Sequence, residues 1–172
     1  PAPKIAIVSV EIALAEAKAV KSASAQLNEI SAKYKKEIDD EEAALRAIDQ
    51  ELQQQRATLP PEVFAQRREE FQQKEAQLKQ KARALRKAMD QGFKDTMQKI
   101  QDVLFEEIAK LARELDFNLV LPSSQVIVSI ESLDITRQAI ERVDARLPDV
   151  KLTLTKKPTA SDPKGQPVPS GR

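Results

Sequence analysis

The 172-residue sequence predicts an α+β protein, mainly α, in which a long antiparallel helical hairpin is inserted into a small β-rich association base. Three observations carry this. Aromatic residues make up 3% of the chain and charged residues 32%, a composition of long helices rather than of a packed sphere. Neither proline nor glycine occurs between Lys4 and Leu59. Short β-branched runs stand only at the two ends of the helical stretch.

Lys4–Val10 (KIAIVSV) is apolar on both alternating faces, the pattern of a strand buried on both sides. From Glu11 the pattern turns helical for about a hundred residues. Val20, Ala23, Leu27, Ile30, Tyr34, Ile38, Leu45, Ile48, Leu52 and Leu59 recur mostly at threes and fours, forming one narrow apolar stripe of coiled-coil type. Leu59-Pro60-Pro61-Glu62 breaks it. Pro60 excludes Leu59 from the helical region, and Pro61 suits the first turn of a new helix. The returning helix carries Phe64, Phe71, Leu78 and Leu85 at sevens, continued by Ala82, Met89, Ile100, Leu104, Ile108, Leu111 and Leu115. An arm of 40–50 residues reaches roughly 60–75 Å at 1.5 Å per residue.

Phe117–Leu121 (FNLVL) and Val126–Ile130 (VIVSI), separated by Pro122-Ser123-Ser124, read as a β-hairpin. Asp134 or Thr136 caps a short helix that ends at Pro148. Val150, Leu152 and Leu154 alternate with Lys151, Thr153 and Thr155, as in a half-exposed edge strand. The domain expectation is a base of 1–15 and 116–155, an arm of 16–115 turning near 58–62, and a disordered Pro/Gly/Ser-rich tail of 156–172. So small a base cannot cover strands that are apolar on both faces. Ile5, Ile7, Val8, Leu119, Leu121, Val126 and Val128 are therefore expected to associate with other copies.

The chain holds no histidine and no cysteine, which removes the commonest general base and most transition-metal ligands. Three glycines leave nothing to build a phosphate loop, and no cofactor is expected. The carboxylates Glu37, Asp39, Asp40, Glu41 and Glu42 read as a solvated helix face rather than a metal site. A net charge of +1 speaks against a nucleic-acid binder. Lys74, Lys79, Lys81, Arg83, Arg86 and Lys87 nevertheless form a basic band against Glu75 alone. The band is either a solubilising face or an attractor of acidic clients and anionic lipid headgroups. Phe64 and Phe71 either close the hairpin tip or touch a client. Gly92 marks either close packing or a hinge in the arm. Pro1 opens the chain without a methionine, as a mature form does once a signal peptide has been removed.

The opening KIAIV, the FNLVL and VIVSI segments, and Leu133-Asp134-Ile135-Thr136 before the last helix together resemble the Skp/OmpH periplasmic chaperones over Lys4–Leu147. The resemblance implies a homotrimer with a central β body and three projecting arms. In the periplasm, without ATP, it would hold unfolded outer-membrane proteins in the cavity between the arms. Known members are strongly basic where this chain is near neutral, and Val150–Thr155 with the tail extends beyond the shorter members. A structural coiled-coil spacer or adaptor is the competing reading, and it would show no affinity for denatured barrel proteins.

Overall fold

A computed structural model describes residues 2–154. The tail expected to be disordered, 156–172, lies outside them, as does Thr155.

Strand β1 (Ile5–Val8) leads into helix α1 (Val10–Glu16). Ser9 caps that helix, its hydroxyl accepting from the Ile12 amide at 3.3 Å. The sequence predicts unbroken helix from Glu11, but the chain breaks at Ala17 (ψ 131°) before α2 resumes at Lys18–Gln55. No proline or glycine causes the break. Tertiary structure sustains it: the Asp144 carboxylate, from the last helix, accepts the Lys18 amide at 2.8 Å and so serves as a distant cap for α2.

Residues 56–60 turn the chain. The Thr58 and Leu59 amides both donate to the Gln55 carbonyl, and α3 (Pro61–Glu114) starts at Pro61 as its sequence requires. These 38 and 54 residues span about 57 and 81 Å. The return from α3 uses Asp116 in the left-handed region (φ 60°), with the Phe117 amide closing on the Ala112 carbonyl at 2.8 Å.

Strand β2 (Leu119–Pro122) pairs parallel with β1, Ile5 opposite Leu119 and Val8 opposite Pro122. The other edge of β1 is occupied too: Ile7 bridges Asp134, and its carbonyl accepts the Ile135 amide at 2.9 Å. Helix α4 (Thr136–Arg146) follows. Asp134 accepts the Thr136 amide, and the Thr136 hydroxyl accepts the amide of Ser9, fastening the start of α4 to that of α1.

Two expected strands are absent. Val126–Ile130 pairs with nothing among the described residues and runs between two short 3₁₀ turns. Of the expected strand Val150–Thr155, the described part Val150–Leu154 keeps its alternation, with Leu152 buried and Lys151 and Thr153 exposed, but joins no ladder among the described residues.

The core joins Ala6 and Val8 of β1, Ala17 at the helix break, Ala13, Leu104, Ile108 and Leu111 of α1 and α3, and Ile135, Ala139 and Val143. The base expected from 1–15 and 116–155 is therefore incomplete without the root of the arm. Three of its largest apolar side chains come from α3.

Candidate functional site

The molecule presents two unusual surfaces, one along the arm and one at the base. Along the arm, each apolar residue faces a single partner helix. Between Ala23 and Leu52 on α2, no residue is fully buried. Leu27, Ile30, Tyr34, Ile38, Leu45 and Ile48 are half-covered, as are Phe71, Leu85 and Met89 on α3. An open groove of about 460 Å3 lies where Ile38, Leu45, Phe71, Leu78 and Ala82 meet, with Glu42, Asp49, Lys79 and Arg83 at its walls. Phe71 thus lines the groove, while Phe64 is half-buried near the tip beside exposed Val63.

The basic band divides in the structure. Lys81 reaches across to α2 and donates to Glu37 and Glu41, both at 2.5 Å. Its hydrogen bond to Glu37, and then that to Glu41, pushes its ammonium above the ordinary lysine range. Lys81 is thus an interhelix clamp. Lys79 pairs with Glu75 one turn away on its own helix. Lys74, Arg83, Arg86 and Lys87 are exposed and make no ion pair among the described residues. Sequence spacing could not show that the acidic cluster of α2 neutralises part of the band. The same cluster gives Asp39 and Asp40 to Lys35 and Lys36.

At the base, the seven residues expected to associate fall into two groups. Ile7 and Val8 are buried within their own chain, and β1 pairs with β2 on one edge and meets Asp134 at a single bridge on the other. They are not part of the apolar surface that the single chain leaves exposed. Ile5, Leu121 and Val126 are half-buried, and Leu119 and Val128 are exposed. The surplus apolar surface lies instead on Val126–Ile130. Ile127, Val128 and Ile130 are 101%, 86% and 65% exposed, and the outer edge of β2 is likewise covered by no strand among the described residues. Ile127 and Ile130 belong to this surface although alternation alone singled out Val126 and Val128. Phe105 and Ile12 add exposed apolar area that their off-stripe positions conceal in the sequence.

The two surfaces are joined through a polar root. Glu107 is buried, and its carboxylate accepts from Lys110 at 2.8 Å and from Arg146 of α4 at 2.9 Å. The Lys110 hydrogen bond, then that of Arg146, holds this carboxyl below the usual carboxylate range against the opposing effect of burial. Arg142 makes a forked pair with Glu114 nearby.

Gly92 is a contact point. A Cβ there would come within 2.6 Å of the Thr153 carbonyl oxygen, so the last described segment crosses α3 at this residue. The close-packing reading accounts for the glycine, and α3 runs through it as continuous helix. Gln26, to which no sequence pattern pointed, holds the same segment from α2.

The family model described as Outer membrane protein (OmpH-like) matches residues 4–143. A crystal structure from Caulobacter crescentus, described as that of an OmpH-like outer membrane chaperone, has the same fold. It aligns with a TM-score of 0.84 over 92% of this chain and 94% of that one, at 18% identity. No curated protein matches the sequence.

Proposed function

Because the chain belongs to the OmpH-like outer membrane protein family, we propose that it is an ATP-independent holding chaperone of the periplasm. In this reading three copies associate through their bases, and the arms enclose unfolded outer-membrane proteins and keep them from aggregating. The half-covered apolar stripe carries the reading. A two-helix arm cannot bury its own seam, so it offers a long row of weak apolar contacts between charged heads. Many weak contacts retain an unfolded chain yet leave it mobile, and binding lowers the free concentration from which aggregates grow.

Association is supported by the base. An extended, almost fully exposed β-branched segment is the kind of apolar surface that another copy would cover. Lys74, Arg83, Arg86 and Lys87 extend the arm's reach to acidic clients and to anionic lipid headgroups.

Shortening the arm tests the division of labour. Replacing Asp40–Gln80 with a short Gly/Ser linker retains Ala17, Leu104, Ile108 and Leu111, the core residues of the root. The shortened protein is expected to remain trimeric by native mass spectrometry at micromolar concentration. It is expected to lose suppression of aggregation when a urea-denatured barrel protein is diluted into buffer. Full suppression by an assembled, shortened protein would exclude the cavity, and a folded full-length monomer would exclude the trimer. A spacer protein would show no suppression even with intact arms.

A further inference from the structure

The segment Val150–Leu154 lies beyond the residues that match the family, yet it is built into the arm root by specific contacts. The Gln26 amide donates to the Val150 carbonyl at 2.6 Å and accepts the Leu152 amide at 3.0 Å. These are the two backbone groups that a neighbouring parallel strand would engage on either side of Lys151. One side chain thus imitates a strand edge and reads only main chain. Across from it, Gly92 leaves room for the Thr153 carbonyl, space that any Cβ would fill. Leu152 is the single deeply buried side chain of the segment, at 6% exposure, with Val150 and Leu154 half-buried on the same face.

We propose that the arm root carries a binding groove for one extended, alternately apolar peptide strand. Val150–Leu154 fills it within the chain, and a strand of an unfolded barrel client takes it in exchange. The groove asks little of its occupant: an extended backbone and apolar residues at every second position. Those are the terms on which transmembrane barrel strands are written, apolar and polar in strict alternation. The strap satisfies them as V-K-L-T-L, so it is a client-like segment carried in cis. A short link from α4 tethers it, giving it an effective concentration on the order of millimolar. A lone peptide competes poorly against that. A client confined between the arms presents many such strands at comparable local concentration. The exchange rests on the holdase reading; the groove itself does not.

Two measurements on the full chain separate them. In the first, Leu152→Asp removes the strap's anchor and leaves Gln26 and Gly92 in place. A fluorescent peptide of sequence DVKLTL is expected to bind this variant at least about tenfold more tightly than the wild type, by anisotropy. Adding Gly92→Ala, which favours the helix but fills the groove, is expected to abolish that gain. A peptide of the same composition without alternation should not compete. Equal binding by all three proteins, or none by any, overturns the groove; should Leu152→Asp fail to fold, Leu152→Ser takes its place. In the second, a fluorophore on Lys151→Cys, a unique thiol in a chain without cysteine, reports the strap directly. Unfolded barrel protein is expected to free the label. If the barrel stays soluble while the label stays immobile, exchange is excluded and the holdase stands. If the barrel aggregates despite the chaperone, the holdase reading and exchange both fail, while the peptide measurement still decides the groove.

Discussion

Along the arm, from Leu27 to Leu85, side chains that bridge the two helices are few among the described residues: Lys81 to Glu37 and Glu41, and Arg67 to Gln55 and Glu51 near the tip. The other polar contacts there mostly link residues four apart on one helix, such as Lys35 with Asp39 and Gln66 with Glu70. At the root, backbone groups are claimed from far along the chain. Lys4 donates to Asn118, Ser9 to Thr136 and Lys18 to Asp144, and Gln26 bonds Val150 and Leu152. The arm is thus held by a repeating pattern, which tolerates change at any one position. The root is held by individual partners, which do not substitute for one another. A surface meant to accept many sequences suits the first arrangement, and a junction that must fix the direction of the arm needs the second.

The widest gap between the two regions is expected in apolar truncation. Leu104→Ala, at a side chain 1% exposed in the root core, should cost about 2–5 kcal/mol. Leu45→Ala, half-covered in the arm, should cost roughly 1 kcal/mol, because less area leaves water and the groove is already open. Urea midpoints compared at equal protein concentration measure both, and equal losses would break the contrast.

Acid sharpens it. Glu107 has a carboxyl pKa depressed by its Lys110 and Arg146 bonds. Its contribution is therefore complete above the unfolded-state value, about 4.3, and fades as pH falls through the lower folded-state value. Glu107→Gln should cost about 1 kcal/mol at neutral pH, since Lys110 and Arg146 remain well hydrated. The variant's denaturation midpoint should also depend less on pH below about 4.3 than the wild type's. A parallel acid limb in both proteins would mean that Glu107 is not the group being titrated.

The smallest effect belongs to the clamp in the arm. Lys81→Met keeps the aliphatic stem and removes the charge between Glu37 and Glu41. Its urea midpoint should shift least of the four substitutions, while added salt should narrow what difference there is. A loss as large as that of Leu104→Ala would make the arm as dependent on single partners as the root.

The pattern-held half is the half that the sequence announces. Threes and fours from Val20 to Leu115 write the two helices, and Pro60-Pro61 writes the turn between them. Thr136 after Asp134 marks the last helix equally well. The root was less legible because its decisive contacts are tertiary. The break at Ala17 falls on the residue type most favourable to helix and depends on Asp144, more than a hundred residues on. Val126–Ile130 reads as a strand because its residues favour one, but no strand pairs with it among the described residues. Val150–Leu154 alternates like a strand and is paired instead by the side chain of Gln26. Periodicity reports which face is apolar and is silent on what will cover it. For the same reason the basic band is visible while its division is not, between the clamp Lys81 and Lys74, Arg83, Arg86 and Lys87, which make no ion pair among the described residues.

The parallel pairing of Ile5–Val8 with Leu119–Pro122 also sets an order of events. A parallel ladder between segments this far apart closes slowly from a random coil, because most of the intervening chain must first lose its freedom. The arm provides the shortcut. Its helices form and zip locally from the turn, so the remaining closure resembles that of about ten free residues rather than a hundred, an entropic saving of roughly 2 kcal/mol. The arm should therefore be protected from amide exchange before the sheet, and the strap last. During synthesis β1 emerges before β2 and waits with both edges bare until Leu119 and then Asp134 arrive. For that interval the nascent chain has the same need for shelter as the unfolded barrels that its finished form is proposed to hold.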